Sequence, residues 1–156
     1  MNKQNGSLER LESCVAELTS ISHVRDIARK VFECEFHWFD QSDPIVVEGA
    51  FPVVRVFYVC TEESRSDQRA YVDCRLDFNA CEMWFGNLHV AAAYRMGGLG
   101  RALVQVSETM AAAMKMREIY VFPLRGSLGF WCKMGYASTP GATLVLHKNV
   151  VERTIQ

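Results

Sequence analysis

What the chain lacks narrows its class before any motif is read. No apolar run approaches the roughly 20 residues that span a bilayer, and the first residues carry no signal-peptide h-region, so a cytoplasmic protein with no membrane partner is expected. Charge of neither sign dominates: 17 Lys and Arg stand against 18 Asp and Glu, a net charge of −1. Bulk nucleic-acid binding needs an excess of cations on some face, so no nucleic-acid partner is expected. The six cysteines (Cys14, Cys34, Cys60, Cys74, Cys81 and Cys132) contain no C-x-x-C pair. That scatter argues against a zinc site, and buried reduced thiols with no metal are the expectation.

What is present is an ordinary soluble composition, 49% apolar and 22% charged over 156 residues. One domain over residues 1–156 is expected, with 1–6 frayed. Ser7 can cap an amphipathic helix carrying Leu8, Leu11, Val15 and Leu18, and Ser22 a second one carrying Val24, Ile27, Ala28, Val31 and Phe32. The stretch from Cys34 to Pro44 mixes aromatics with Glu35, Asp40 and Asp43. It reads either as a loop with its acids in water or as the lip of a substrate groove. From Phe51 onward the pattern is that of strands. Val53 to Cys60 is nearly continuous and apolar, Thr61 to Gln68 is a polar hairpin loop, and Ala70, Val72, Cys74, Leu76 and Phe78 alternate with polar residues. Asn79-Ala80 turns the chain into a further strand, Cys81 to Val90. Three strands on short connections must be antiparallel neighbours, which a Rossmann order is not.

The chain is organised around Leu88 to Arg101. A strand enters this stretch, and a helix over 101–116 leaves it with Leu103, Val106, Met110 and Met114 on one face. Three glycines in four positions lie between, so the backbone can turn tightly and a ligand can approach its N–H groups. N–H groups of a helix's first turn have no internal acceptor and sit at the positive end of the macrodipole, which suits a phosphate. A P-loop is excluded because no Lys is followed by Ser or Thr, and a Rossmann fingerprint because Leu103 stands where its third glycine belongs.

Arg95-Met96-Gly97-Gly98-Leu99-Gly100 fits the R/Q-x-x-G-x-G/A loop of the GNAT N-acetyltransferases, with Val90 five residues ahead of the Arg. Further on, Ile119 to Phe122 reads as a short strand ended by Pro123. Phe130-Trp131 and Gly135-Tyr136 then repeat the aromatic pair and Gly-aromatic step of that family, and Thr143 to Lys148 reads as a closing strand. The chain thus resembles a GNAT acyltransferase over roughly residues 7–150. The resemblance implies an α+β fold: a mixed, mostly antiparallel central sheet with flanking helices. Family members begin with a strand ahead of the first helices. Here that strand is either missing or replaced by Ile45-Val46-Val47.

The resemblance also implies a cofactor, acetyl-CoA or coenzyme A. Its pyrophosphate would lie on the N–H groups from Met96, Gly97, Gly98, Leu99 and Gly100 to Arg101, with Arg95 and Arg101 adding charge. Its pantetheine arm would follow Leu88 and Val90, the Val90 N–H would face the thioester oxygen, and Ser127 and Trp131 would border it. Many relatives carry a Glu on the incoming strand as general base. Trp84 holds that position here, and Glu82 is two residues further from the loop. Strict alternation puts Glu82 on one face with Trp84, Gly86, Leu88 and Val90, and His89 on the other. His37 is a second base candidate. Where relatives place an acidic Tyr, this chain has Trp131, whose indole donates a hydrogen bond but does not release its proton. The expected activity is transfer of acetyl to a primary amine, of a small molecule or a protein, by direct attack in a ternary complex. The rival is a silent acyl-CoA-binding or interaction module on the same fold, and a homodimer is left open.

Overall fold

The computed structural model of the chain describes residues 24, 26–27, 30–31, 45–48, 51–57, 70–95, 97–141 and 144–151. Among the described residues seven strands form one sheet: β1 (Ile45–Glu48), β2 (Phe51–Phe57), β3 (Ala70–Asp77), β4 (Glu82–Val90), β5 (Glu118–Val121), β6 (Ala137–Ser138) and β7 (Leu146–Asn149). Their order is β1-β2-β3-β4-β5-β7-β6. All neighbours are antiparallel except β4 and β5. Parallel strands need a crossover, and the long helix Leu99–Ala113 supplies it.

The period of two in β3 does what its sequence suggests. Ala70, Val72, Cys74 and Leu76 are buried in one cluster with Val54, Val56, Met83, Ile119 and Leu103, Val106, Met110 and Met114 of the helical segment. Burying one such side chain is worth about 1.5–3 kcal/mol. Tyr71, Asp73, Arg75 and Asp77 point to the opposite, polar face. Val24, Ile27 and Val31 are helical as expected, and Val24 and Val31 join the core. Ile45–Glu48 is a strand, paired antiparallel with β2 at the end of the strand order, and the residues ahead of Val24 lie outside the described residues. The Ser7 helix, the stretch with His37, Glu35, Asp40 and Asp43, and the 61–68 loop lie outside the described residues.

The long helix begins two residues before its expected start and stops at Ala113. Lys115 turns left-handed there (φ 62), and the N–H groups of Lys115 and Met116 return to the carbonyls of Ala112 and Ala111. Farther along, Glu108 of the helix accepts hydrogen bonds from Tyr136 Oη and Lys148 Nζ, both at 3.0 Å, and so ties the closing hairpin down. Burial, and then the Glu108 carboxylate, push the Tyr136 phenol far up, so it stays a neutral donor. Not all the cysteines follow expectation: Cys74 is buried, Cys81 half-buried and Cys132 exposed.

One irregularity governs the rest. β3 and β4 pair Val72 with Leu88 but Cys74 with Phe85, so Asp73 alone faces Gly86 and Asn87. That is a β-bulge, and it reverses which side chains point where. Before it, Met83 and Phe85 face the core while Glu82 and Trp84 face the polar side. After it, Leu88 and Val90 face the core side and His89 the polar side, opposite Tyr71. The expectation that Glu82 shares a face with Leu88 and Val90, and that His89 opposes it, is therefore corrected. Strict alternation fails because one extra residue was inserted into the strand.

Candidate functional site

The pairing of β4 with β5 covers only Glu82–Phe85 and Glu118–Val121. Past that point β4, among the described residues, continues to Val90 paired with β3 alone, while β5 ends ahead of Phe122 and Pro123. Proline removes a ladder donor at the place where pairing stops. The two strands thus part in a wedge, and an open cavity of about 400 Å³ fills it. Its walls include Leu88 and Val90 from β4, Arg95 and Gly100 from the loop and helix, and Ser127, Phe130 and Trp131 from the short helix Leu128–Lys133 and its N-cap.

The helix N-terminus sits at the end of this wedge. Gly98 is its N-cap in a left-handed conformation (φ 81), with no side-chain cap and no acid in the first turn. The first intrahelical bond runs from the Ala102 N–H to the Gly98 carbonyl, 3.0 Å. The N–H groups of Leu99, Gly100 and Arg101 precede it and have no acceptor within the helix. A Cβ on Gly98 would meet nothing within 4 Å, so glycine is required there by backbone conformation and not by space. A Cβ on Gly100 would lie 3.7 Å from both Val90 and Phe130, an ordinary contact pointing into the protein. Arg95 folds back, its Nε donating to the Val90 carbonyl at 2.8 Å, and Arg101 is exposed. Gly97 is exposed, and Met96 lies outside the described residues.

Trp131 is buried among Phe85, Phe130 and Tyr136, with ring centroids 5.1–5.3 Å apart for all three pairs, and only its rim borders the cavity. Glu82 is elsewhere. It stands at the start of β4 on the polar face, where the Trp84 indole N–H donates to it at 3.2 Å. Four residue steps along the strand, about 13 Å at the usual rise, separate it from Gly86 at the opening of the wedge.

A second cavity, about 340 Å³, lies on the polar face. Arg55, Asp73, Arg75, Trp84, Asn87 and Phe122 border it, and it shares Gly86 and Phe122 with the first. Arg55, Asp73, Arg75, Asn87 and Phe122 carry no site role in the sequence pattern, and Trp84, Gly86, His89 and Phe130 are noted there without one. The polar half of the β3 alternation was the available signal for Asp73 and Arg75. Among the described residues no cluster of three His, Cys, Asp or Glu could hold a metal ion, and no helix is long and apolar enough to cross a membrane.

No protein-family model and no curated protein matches the sequence. Solved structures do. A GNAT-family protein from Desulfovibrio desulfuricans aligns with a TM-score of 0.55 at 16% identity, over 64% of this chain and 69% of that one. An aminoglycoside 6′-N-acetyltransferase complexed with coenzyme A aligns with a TM-score of 0.54 at 14% identity, over 65% and 75%. The PaiA N-acetyltransferase of Thermoplasma acidophilum, also in complex with coenzyme A, aligns with a TM-score of 0.50 at 14% identity, over 62% and 60%. The chain has the GNAT N-acetyltransferase fold.

Proposed function

We propose that this chain is an N-acetyltransferase that takes its acetyl group from acetyl-coenzyme A and passes it directly to a primary amine. The observation that carries the reading is the wedge. It sets a strand edge that has no partner among the described residues, Leu88 to Val90, beside a helix N-terminus whose first N–H groups have no acceptor in the helix. The fold neighbours that hold coenzyme A support it. The residues present fit that molecule: N–H groups of Leu99, Gly100 and Arg101 with the Arg95 and Arg101 guanidiniums suit a pyrophosphate, and the edge of β4 suits an amide-bearing arm. Gly97 leaves the approach open, while Ser127, Phe130 and Trp131 wall the thiol end.

When bound, acetyl-coenzyme A supplies an activated thioester carbonyl. The chain's own part is to hold and polarise. The Val90 N–H, aimed at the thioester oxygen, would contribute on the order of 3 kcal/mol to the barrier. Phe130 and Trp131 keep water from that end of the cavity. Glu82 serves as base through intervening water, because its carboxylate stands well away from the wedge and is already bonded to Trp84. Isothermal calorimetry with coenzyme A, followed by thiol release over a panel of amines, tests the proposal. A protein that does not bind coenzyme A removes it.

A second reading keeps the cofactor and drops the chemistry. Trp131 in place of an acidic group and the remoteness of Glu82 favour a silent acyl-CoA-binding module. Binding without turnover over the whole panel would select it.

A further inference from the structure

The polar-face cavity bears on the identity of the acceptor, an assignment that rests on the acetyltransferase reading. It borders the cofactor-side cavity through Gly86 and Phe122 alone, so a group seated in it can reach through the wedge. Gly86 adds no side chain at that border, and a Cβ there would stand in ordinary contact with Asp73 of β3, 3.5 Å from its Cβ.

Among the described residues that line the cavity, two arginines stand against one carboxylate. Asp73 is held by Arg55 in a two-pronged pair, Nε to Oδ1 at 2.7 Å and Nη2 to Oδ2 at 2.9 Å. The Arg55 guanidinium also lies 4.4 Å from the Tyr71 ring centre, which fixes it further. Arg75 is left over. It is exposed, lies 5.3 Å from the Phe51 ring centre, and has no carboxylate partner among the described residues. Across the strands it pairs with Trp84, so the two residues share one face and both border the cavity, while the guanidinium itself leans toward Phe51 of β2. The Trp84 indole is a rigid wall, stacked on Tyr120 at 4.6 Å and on Phe122 at 5.3 Å.

We propose that this cavity takes an amine acceptor that also carries a carboxylate, an α-amino acid with a flat apolar side chain, and that Arg75 receives the carboxylate. A guanidinium fork matches a carboxylate in two parallel hydrogen bonds. The Trp84 and Phe122 rings offer apolar area to the side chain, and Gly86 lets the α-amine point through the wedge. A polyamine would bring its ammonium groups against the Arg75 guanidinium and would leave that group without a carboxylate. The volume is at the small end of ligand pockets, which suits a single amino acid.

The experiment uses the full chain with phenylalanine, phenethylamine and spermidine. Two readouts run in parallel: thiol release with saturating acetyl-coenzyme A, and the Trp84 indole ¹⁵N–¹H resonance, assigned with W84F, during titration of each amine. Phenylalanine should exceed phenethylamine at least tenfold in kcat/KM and should shift the Trp84 resonance at lower concentration. R75M should collapse the phenylalanine to phenethylamine ratio toward one, chiefly through KM, and R75K should recover part of it. Coenzyme A affinity by calorimetry reports separately on the parent reading. A Trp84 response to phenylalanine lost in R75M, in a protein that fails to bind coenzyme A, would uphold the cavity and overturn the acetyltransferase. Preference for phenethylamine or spermidine, or equal losses on both amines in R75M, would overturn the acceptor assignment.

Discussion

The two halves of β4 make an instructive pair. Glu82–Phe85 is bonded on both sides, to β3 and to β5, and buries Met83 and Phe85 in the core. Leu88–Val90 belongs to the same strand yet is bonded to β3 alone, and its other edge borders the cavity. Two residues, Gly86 and Asn87, separate a segment that holds the sheet together from one that is free to receive a ligand. Two things make the difference: the bulge reverses the facing of the side chains, and the pairing with β5 ends ahead of Pro123. The first half should therefore answer to stability measurements and the second to ligand measurements.

Truncation in the first half gives the largest expected effect. Phe85 packs on Trp131 at 5.3 Å and on Tyr136 at 6.2 Å, so Phe85→Ala should cost about 3–5 kcal/mol in urea denaturation. Val90 is only half-buried, and Val90→Ala should cost about 1 kcal/mol or less. Equal losses would break the distinction between the halves. The next effect is on binding. Gly98→Val must force a β-branched residue to φ 81, and it should lower coenzyme A affinity tenfold or more by calorimetry. Gly98→Ala should do the same more mildly, at a stability cost of about 1–2 kcal/mol. Unchanged affinity in both would take the helix N-terminus out of the site.

Much of this was legible in the sequence, and the reason is locality. The β3 alternation, the apolar face of Leu103, Val106, Met110 and Met114, and the glycine loop each follow from neighbours within a few residues. The antiparallel run of β2, β3 and β4 and the likeness to the GNAT fold came from the same short-range cues, whereas the full strand order did not. The bulge was not read, although a glycine inside a strand pattern is its usual mark and Gly86-Asn87 carries it. Missing it put Glu82 on the wrong side of Leu88. The pair Arg55–Asp73 and the cavity beside it depend on register between strands eighteen residues apart, for which no local pattern exists.

Glu82 sharpens the comparison because it is a chemical candidate lodged in the structural half. A base in direct contact with the amine would lose about 10²–10⁴ in kcat/KM on Glu82→Gln. Its distance from the wedge and its bond from Trp84 lead us to expect about tenfold, with coenzyme A affinity unchanged. The pH–rate profile of the variant should lose or shift one limb. Normal turnover with an unchanged profile would mean that the amine loses its proton elsewhere.

The smallest effect tests the paired half through its pH dependence. Cys74 pairs with Phe85 across β3 and β4 and is fully buried. Burial pushes its thiol up to about 12, from an ordinary value of 9.0, against a lesser opposing pull from the Ser107 hydroxyl. Folding therefore favours the neutral thiol. Its contribution is fully present below pH 9 and is lost as pH rises toward 12, because the unfolded chain releases the proton first and is stabilised by doing so. At pH 10 the loss should be about 1 kcal/mol relative to pH 7, read as a fall in the urea midpoint at constant m-value. Tyr120, which donates to Glu118 and is pushed up to about 12 mainly by that bond, adds a loss of the same sign, but only above about pH 10. Cys74→Ala removes the thiol at the cost of a small cavity, so its stability should start lower and fall less steeply between pH 8 and 10. Parallel slopes for variant and wild type would show that the thiol is not held neutral by burial, and that the paired half is more open than its packing implies.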